Sequence, residues 1–416
     1  KFWPDQVLKD AVACLLVLVV VMGLAIWKGA ELTAPANPGE QYEAARPEWY
    51  YLFLFRFLKF EWVSQAGEAT GLGEAFGAVV IPGLLMGVLI LMPLIGRWKI
   101  GHRFNVVYLF VVMVGAGGLT GLALYEDWWS KSAAAVSFRE AVEKAHVDGE
   151  RTVELAQSPT GIPPAGAIEL LRNDPLTQGP QIFKVYCADC HQPAAMAASF
   201  PKPPQAPELA TLEDREEISF GNREWLRSIL IDYRSHMATL ENITVENGAS
   251  EERAEAAIGI IGEDGEMAYW SEENGPILAD EANKESFDAL IEFLVAQSGR
   301  FKTDADLVAQ GREIFISGQL ANGEIESCAD CHTLHVLEEE EPISDGYGPS
   351  LTNYAGAEWL ESFLTAPEDH YTNYNAMPAF GNQLSEQEMQ MLVRWMTGDY
   401  YQSGGAEAPG QAGPEE

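Results

Sequence analysis

Three long stretches of the chain contain no charged side chain, and each is almost uniformly apolar. They cover Ala11–Trp27, Ala75–Gly96 and Phe104–Tyr125. A helix of roughly 20 such residues crosses a hydrocarbon core about 30 Å thick. The pattern therefore predicts three transmembrane helices near the start of the sequence. A cleaved signal peptide is the alternative for the first stretch, but no small-residue cleavage site stands out and two more apolar stretches follow.

Beyond Tyr125 the apolar residues no longer form unbroken runs and recur instead with the period of a helix. Phe138–Leu155, Phe287–Val295 and Met389–Met396 each have this amphipathic spacing. Ser158–Gly166, with its glycine and prolines, reads as a loop. The sequence thus predicts an all-α chain, with membrane helices first and small helical cores after them.

Charge divides the chain at the same point as hydropathy. The 416 residues carry 62 acidic and 26 basic side chains, a formal charge of -36. Residues 1–125 hold nine of each sign, so the whole excess lies in residues 126–416. A surface this acidic excludes nucleic acid as a partner. The acidic runs fit a solvated surface, and the alternative is a docking face for a basic soluble protein.

The orientation in the membrane follows from the basic residues of one short loop. Arg97, Lys99 and Arg103 lie between the second and third apolar stretches, and loops rich in lysine and arginine stay in the cytoplasm. Three crossings then place the acidic part on the opposite side. We expect a multi-pass protein of the inner (cytoplasmic) membrane, with its acidic part in the periplasm or outside a Gram-positive cell.

Two identical cysteine pentads stand in the acidic part of the chain. Cys187 to His191 and Cys328 to His332 both read Cys-Ala-Asp-Cys-His. In this arrangement the two thiols attach a haem covalently and the histidine supplies an axial ligand. A zinc site made of two cysteine pairs is the alternative, but it does not explain a histidine directly after each pair. The pentads predict two covalently bound c-type haems, attached at Cys187, Cys190, Cys328 and Cys331, with His191 and His332 as iron ligands.

The pentads belong to an internal repeat. A Gly-x-x-Ile-Phe segment precedes each pentad, at Gly179 and at Gly311, and a Glu-Trp-Leu segment follows each, at Trp225 and at Trp359. Each unit closes with a periodic apolar segment. The order of helix, haem site, middle helix, methionine loop and closing helix resembles class I cytochromes c, and this resemblance implies two tandem all-α domains.

The resemblance also implies a methionine as the second axial ligand of each haem. For the second haem Met377 fits, because Met-Pro-Ala-Phe begins there and Gly348–Leu351 matches the loop that supports the histidine. For the first haem Met267 is preferred over Met237, since an aromatic residue follows Met267 three positions later. His236 is a further candidate ligand, although a hydrogen-bonding role in a loop suits it better. Methionine ligation raises the reduction potential of a haem.

The loop between the first two apolar stretches carries a second motif. It contains Pro35-Ala36-Asn37-Pro38 and then Pro47-Glu48-Trp49-Tyr50. Residues 1–125 resemble the C-terminal part of cytochrome b, or subunit IV of b6f-type complexes, where this motif belongs to the quinol-oxidising (Qo) site. The resemblance implies that Glu48 and Tyr50 are catalytic and that Pro47 and Trp49 complete the quinol site. An aromatic belt at the membrane surface is the alternative.

Together these resemblances imply a subunit of a proton-translocating quinol:cytochrome c oxidoreductase, a cytochrome bc complex of the respiratory chain. Glu48 would accept a proton from quinol, and electrons would pass from a Rieske protein through the two haems to a soluble carrier or terminal oxidase. None of the seven histidines lies in an apolar stretch, so haem b must come from a partner. The expected partners are a b6-like cytochrome b subunit with haem b and a Rieske protein with a 2Fe-2S cluster, in a dimeric complex. The rival is a membrane-anchored dihaem electron-transfer subunit without quinol chemistry.

The expected organisation has five parts. Residues 1–125 form the membrane domain and residues 126–175 a linker. Residues 176–300 form the first cytochrome c domain and residues 301–402 the second. Residues 403–416, rich in glycine, proline, alanine and glutamate, form a disordered tail.

Overall fold

The computed structural model describes residues 2–28, 34–36, 42, 44–192, 200–209, 220–263, 265–336, 341–371 and 376–403. Within these ranges the chain is helical and has only three isolated β-bridges, with no strand. The predicted all-α class is therefore confirmed. The chain divides into two compact units, Lys1–Val153 and Glu154–Glu416. Residues 404–416, predicted as a disordered tail, lie outside the described residues, as do Asn37 and Pro38.

Seventeen α-helices occur in the described ranges. The helices of the first unit are α1 (Val7–Lys28), α2 (Leu52–Leu58), α3 (Glu61–Thr70), α4 (Ile81–Ile95), α5 (Gly101–Trp128) and α6 (Ala133–Ala156), the last of which runs across the boundary between the units. Those of the second unit are α7 (Ile168–Arg172), α8 (Pro175–Tyr186), α9 (Arg223–Ile231), α10 (Tyr233–His236), α11 (Glu251–Ile261), α12 (Glu266–Leu278), α13 (Lys284–Ala296), α14 (Ala305–Ser317), α15 (Ala357–Thr365), α16 (Pro367–His370) and α17 (Glu386–Thr397).

Three helical segments of the first unit are long and apolar enough to cross a membrane. They run over Trp3–Trp27, Phe76–Ile95 and Gly101–Trp128, with mean hydropathy of 2.5, 2.6 and 2.1. The three predicted spans are confirmed, and the third extends further than its charge-free core. Their apolar side chains are largely exposed in the isolated chain, which suits contact with lipid rather than water.

Charged side chains hold the loop after α1 against the end of α5. Arg46 donates to both carboxylate oxygens of Asp127, at 3.1 and 3.0 Å, and Arg56 donates to Glu126 at 2.7 Å. The guanidinium group of Arg46 also lies 4.3 Å from the ring centre of Phe138 on α6. A two-pronged arginine–carboxylate pair fixes direction as well as distance, so the segment just before Glu48 has a defined position.

The second unit contains two large cores, and each draws on both sequence repeats. In the first core, α8 packs along α17, together with Cys187, Trp359 and Met377. In the second core, α14 packs along α13. That core also contains Cys328, Trp225 and Met267. The expected segments 176–300 and 301–402 are the two repeats of the sequence. The helices do not pack by repeat, because the first helix of each repeat lies along the last helix of the other.

Two glycines allow these helix pairs to approach closely. A Cβ added to Gly179 would lie 2.3 Å from the Cβ of Trp395 on α17. A Cβ added to Gly311 would lie 2.0 Å from the carbonyl oxygen of Ala289 on α13. Both distances are well inside van der Waals contact, so a side chain at either position would force the helices apart.

We expect Gly311→Ala to lower the free energy of unfolding by about 1–3 kcal/mol, the usual cost of overpacking a core. The sign is informative, because alanine in place of a helical glycine otherwise stabilises by up to about 1 kcal/mol. Thermal unfolding followed by circular dichroism measures the change. Gln310→Ala, at the exposed neighbouring position, is the control. A Gly311→Ala variant as stable as this control would contradict the close crossing.

Candidate functional site

The Pro-Glu-Trp-Tyr motif lies at the start of a short helix in the first unit. Glu48 precedes a 3₁₀ helix, Trp49–Tyr51, and its carbonyl oxygen accepts from the N–H of Tyr51 at 2.8 Å. The rings of Trp49 and Tyr50 meet edge to face at 5.6 Å. Glu48, Trp49 and Tyr50 are all exposed. The structure thus brings the predicted quinol-site residues together on the surface of this unit, where a partner could cover them.

The first cysteine pentad begins directly after α8. Cys187 is buried, and its carbonyl oxygen accepts from the N–H of His191 at 2.9 Å. Nδ1 of His191 lies 2.7 Å from the carbonyl oxygen of Pro207. Because a carbonyl oxygen can only accept, Nδ1 must carry the proton, and the other ring nitrogen, Nε2, is left free to bind a metal.

The second pentad has the same local geometry. Cys328 is buried, and its carbonyl oxygen accepts from the N–H of His332 at 2.9 Å. Nδ1 of His332 donates to the carbonyl oxygen of Pro349 at 2.8 Å. The predicted support of this histidine by the Gly348–Leu351 loop is therefore present. Both histidines are oriented by a backbone carbonyl in the way that metal-binding histidines usually are.

Burial keeps these groups uncharged. It lowers the pKa of His191 and of His332, only partly opposed by their hydrogen bonds to Pro207 and Pro349. Burial also raises the pKa of the Cys187 thiol to about 12 and that of Cys328 to about 12. A neutral imidazole is the form that binds a metal.

The surroundings fit a group that carries carboxylates. Within the described residues of the second unit, five buried side-chain nitrogen atoms have no hydrogen-bond partner: Nε1 of Trp225 and of Trp359, Nε of Arg234 and of Arg300, and Nε2 of His236. Buried donors are normally paired, and haem has two propionate groups that accept hydrogen bonds. No group of three or more potential metal-binding side chains occurs in the described part of the chain, so a zinc site made of such side chains is not found there.

Two further histidines have matching positions beside the tryptophans. His236 accepts from or donates to the Ser228 hydroxyl at 2.6 Å and lies edge-on to Trp225. His370 lies against the Ser362 hydroxyl at 2.9 Å, but through Nε2, whereas His236 uses Nδ1. These contacts support the hydrogen-bonding role that the sequence favoured for His236. Each histidine stands eleven residues after its tryptophan.

The methionine candidates lie in three different surroundings. Met377 packs in the core that contains Cys187. Met267 packs in the core that contains Cys328. Met237 packs in a third, smaller cluster around Leu240 and Ile243. Sequence reasoning paired Met267 with the first pentad and Met377 with the second, and the structure brings each methionine to the other pentad's core.

Pro207 was not singled out from the sequence. Its signal is a Pro-x-Leu segment after the first pentad, Pro207 to Leu209, which parallels Pro349 to Leu351 after the second. Arg253 was also missed. Its side chain donates to the Sγ atom of Cys190 at 3.8 Å and to the carbonyl oxygen of Ala376, which only the folded chain brings together.

In the described residues the secondary structure is helical, three helices are candidate membrane spans, and each Cys-x-x-Cys-His pentad has a buried first cysteine and a carbonyl-bonded histidine. These are features of a membrane-anchored c-type cytochrome. Comparison with known proteins agrees with this class. Residues 309–396 match the family model described as cytochrome c oxidase, cbb3-type, subunit III. This segment holds the second pentad, so a cytochrome c domain lies in the later part of the chain.

Two curated relatives carry the same printed name, menaquinol:cytochrome c reductase cytochrome c subunit. The protein from Geobacillus thermodenitrificans is 29% identical over 148 residues, 34% of this chain and 56% of the relative. The protein from Bacillus subtilis (strain 168) is 28% identical over 159 residues, 37% of this chain and 56% of the relative. The chain thus spans little more than half the length of the relatives it matches. No solved structure gives a significant match.

Proposed function

We propose that the chain is a haem-carrying subunit of a quinol:cytochrome c oxidoreductase, in which residues 1–125 contribute part of the quinol-oxidation site and both pentads carry haem. The observation that carries the proposal is the duplicated pentad geometry on a chain that also bears the Pro-Glu-Trp-Tyr motif. The names of the two relatives support the same class of complex.

In this proposal Glu48 is the proton acceptor of the quinol site. Its carboxylate is exposed next to two aromatic rings, so a quinol ring could lie against Trp49 and Tyr50 with a hydroxyl group near the carboxylate. Oxidation of a quinol releases two protons, and a carboxylate at the membrane surface can take one and pass it to water. Pro47 and Tyr50 fix the backbone and the wall of this site.

The second unit would hold the two haems. Cys187 and Cys190 would attach one haem and Cys328 and Cys331 the other, with His191 and His332 as iron ligands. A covalently bound haem supplies reversible one-electron transfer. The chain's own residues orient the histidines and bury the attachment sites. Trp359, His236 and Arg300 offer donors to the propionates.

The proposal requires partners for the remaining cofactors. These are a b6-like cytochrome b subunit with haem b and a Rieske protein with a 2Fe-2S cluster, and we expect a dimeric complex. Electrons would leave for a soluble carrier or a terminal oxidase. Purifying the complex from membranes and measuring its haem b absorbance and the Rieske electron paramagnetic resonance signal tests this. A pure, active preparation without either signal would contradict it.

A second function is supported by a specific observation. The family that matches residues 309–396 is described as an oxidase subunit, which fits a membrane-anchored dihaem electron-transfer subunit without quinol chemistry. The same purification distinguishes the two, because an oxidase would bring its own haem–copper spectrum in place of the Rieske signal.

The haem content is a direct prediction. We expect the denatured chain to stain for covalent haem and to have the mass of the polypeptide plus two haems. Replacing Cys187 and Cys190 together with alanine should remove one haem, because both thioether bonds of that haem are lost. Mass spectrometry of the denatured protein measures this, and the equivalent change at Cys328 and Cys331 is the matched control. A chain with bound zinc and no haem would refute the cytochrome assignment.

A further inference from the structure

We propose that the two haem pockets are interleaved, so that each haem is held between elements of both sequence repeats. The haem attached at Cys187 would be ligated by His191 and Met377, and the haem attached at Cys328 by His332 and Met267. This inference rests on the proposed function, because it presumes haem at both pentads. It differs from two tandem domains, in which each repeat would supply both ligands of its own haem.

The helix crossings are the first support. In the repeat, α8 and α14 correspond, as do α13 and α17. The ring of Phe183 on α8 meets the ring of Trp395 on α17 at 5.7 Å. The ring of Phe315 on α14 meets that of Phe293 on α13 at 5.4 Å. Each opening helix therefore crosses the closing helix of the other repeat, at equivalent positions.

Polar contacts tie the first pentad to the methionine loop of the second repeat. Arg253 bridges the Sγ atom of Cys190 and the carbonyl oxygen of Ala376, the residue just before Met377. Gln387 at the start of α17 donates to Asn173, two residues before α8, at 3.0 Å. Both ends of this pocket are thus closed by contacts between residues far apart in the sequence.

The second pentad is tied to α12 of the first repeat. The indole N–H of Trp270 donates to the carbonyl oxygen of Glu326 at 3.2 Å, and the N–H of Glu326 donates to the side chain of Asn274 at 3.0 Å. Glu326 stands two residues before Cys328, and Trp270 stands one helical turn after Met267. The helix that carries Met267 is therefore fixed beside this pentad.

The connection between α13 and α14 explains why opening and closing helices pair between repeats rather than within them. α13 ends at Ala296 and α14 begins at Ala305, so a short connection brings these two helices together, as is usual for consecutive elements. Once α14 occupies the face of α13, α17 must find another partner, and α8 remains. The helix pair α13 and α14 thus belongs to one pocket, and the pair α8 and α17, from the two ends of the second unit, belongs to the other.

Spectroscopy assigns each methionine to its haem. In a variant with Cys187 and Cys190 replaced by alanine, only the haem at Cys328 remains. We expect Met267→Ala in this background to abolish the long-wavelength sulfur–iron charge-transfer band, and Met377→Ala to leave it at full intensity. In the background without Cys328 and Cys331, only the haem at Cys187 remains. There Met377→Ala should abolish the band and Met267→Ala should leave it at full intensity. Loss of the band through Met377 in the first background, or through Met237 in either, would overturn the proposed pairing.

Cleavage of the chain tests the same point without altering a pocket. A protease site inserted after the exposed residue Lys302, in the connection between α13 and α14, cuts the otherwise natural chain between its repeats. We expect both fragments to co-elute in size-exclusion chromatography with both sulfur–iron bands retained. They should separate only in denaturant. If the two fragments separated under native conditions and each kept a sulfur–iron charge-transfer band, the interleaved arrangement would be overturned.

The same samples separate this inference from the proposed function. Haem staining of the denatured fragments shows whether each pentad carries a covalent haem. Two stained fragments that part without denaturant would refute interleaving and leave the proposed function intact. Unstained fragments would refute the proposed function itself.

Discussion

Replacing Glu48 with glutamine is expected to slow quinol oxidation by at least about tenfold while the complex still assembles with its haems. Glutamine keeps the size and polarity of the side chain but cannot accept a proton. General-base catalysis typically contributes about 10²–10⁴-fold, and a chain of water molecules could replace part of it. Since Glu48 is exposed and makes no capping hydrogen bond to its helix, its removal should cost little stability.

The measurement needs two rates from one preparation. Quinol-dependent reduction should fall, whereas reduction of the c haems by an artificial donor should be unchanged, because the proposed haem sites, at Cys187 and at Cys328, lie in the other unit. Glu68→Gln, an exposed position on α3 of the same unit, is the matched control and should leave both rates unaltered. Unchanged quinol turnover in a fully assembled Glu48→Gln complex would favour the rival without quinol chemistry.

The local structure could be predicted from the sequence because local rules determine it. Charge-free runs gave the three membrane helices, since length and hydropathy alone decide whether a helix can cross a membrane. The amphipathic spacing of residues 138–155 predicted a helix that the structure extends to Ala133–Ala156. The pentads predicted two haem-attachment sites with a histidine after each cysteine pair, and the loop at Pro349 was expected to support His332.

Which opening helix packs on which closing helix could not be predicted. The two repeats have equivalent residues, so pairing within a repeat and pairing between repeats fit the sequence equally well. Gly179 and Gly311 stand at equivalent positions, and either could accept the closing helix of either repeat. The Met-Pro-Ala-Phe pattern at Met377 therefore suggested a ligand pair with His332 within one repeat. Which pair forms depends on long-range packing, here on the short connection between α13 and α14. Arg253, which joins Cys190 to Ala376, is recognisable only after folding.

A second large effect is expected at the edge of the second pentad, where electrons could leave the protein. Four acidic residues are exposed in this region: Glu266 at the start of α12, Glu326 just before the pentad, Asp330 within it and Asp345 after it. Tyr347, in the same region, contacts Cys331. Its hydroxyl lies 3.5 Å from the Sγ atom of Cys331. That hydrogen bond, with the negative charges of Glu266 and Glu326, raises the pKa of Tyr347.

Such a surface should steer a basic electron carrier. We expect reduction of a cationic soluble acceptor protein by the intact complex to fall at least about tenfold when ionic strength rises from about 10 mM to about 1 M. Steering accelerates association by about 10–10³-fold at low salt, and the Debye length shrinks to about 3 Å at 1 M. A small neutral acceptor should show no such dependence, so the assay separates docking from changes inside the complex.

Charge reversal locates the docking face. Glu266→Lys combined with Glu326→Lys should slow reduction of the cationic acceptor at low salt by about tenfold and remove most of its salt dependence. Glu285→Lys combined with Glu313→Lys changes the net charge by the same amount at exposed positions of α13 and α14 and should have a much smaller effect. If both pairs slowed the reaction equally, only the overall negative charge would matter. The acidic residues near Cys331 would then be ordinary solvated surface, because a local docking face requires that position, and not just charge, decide the rate.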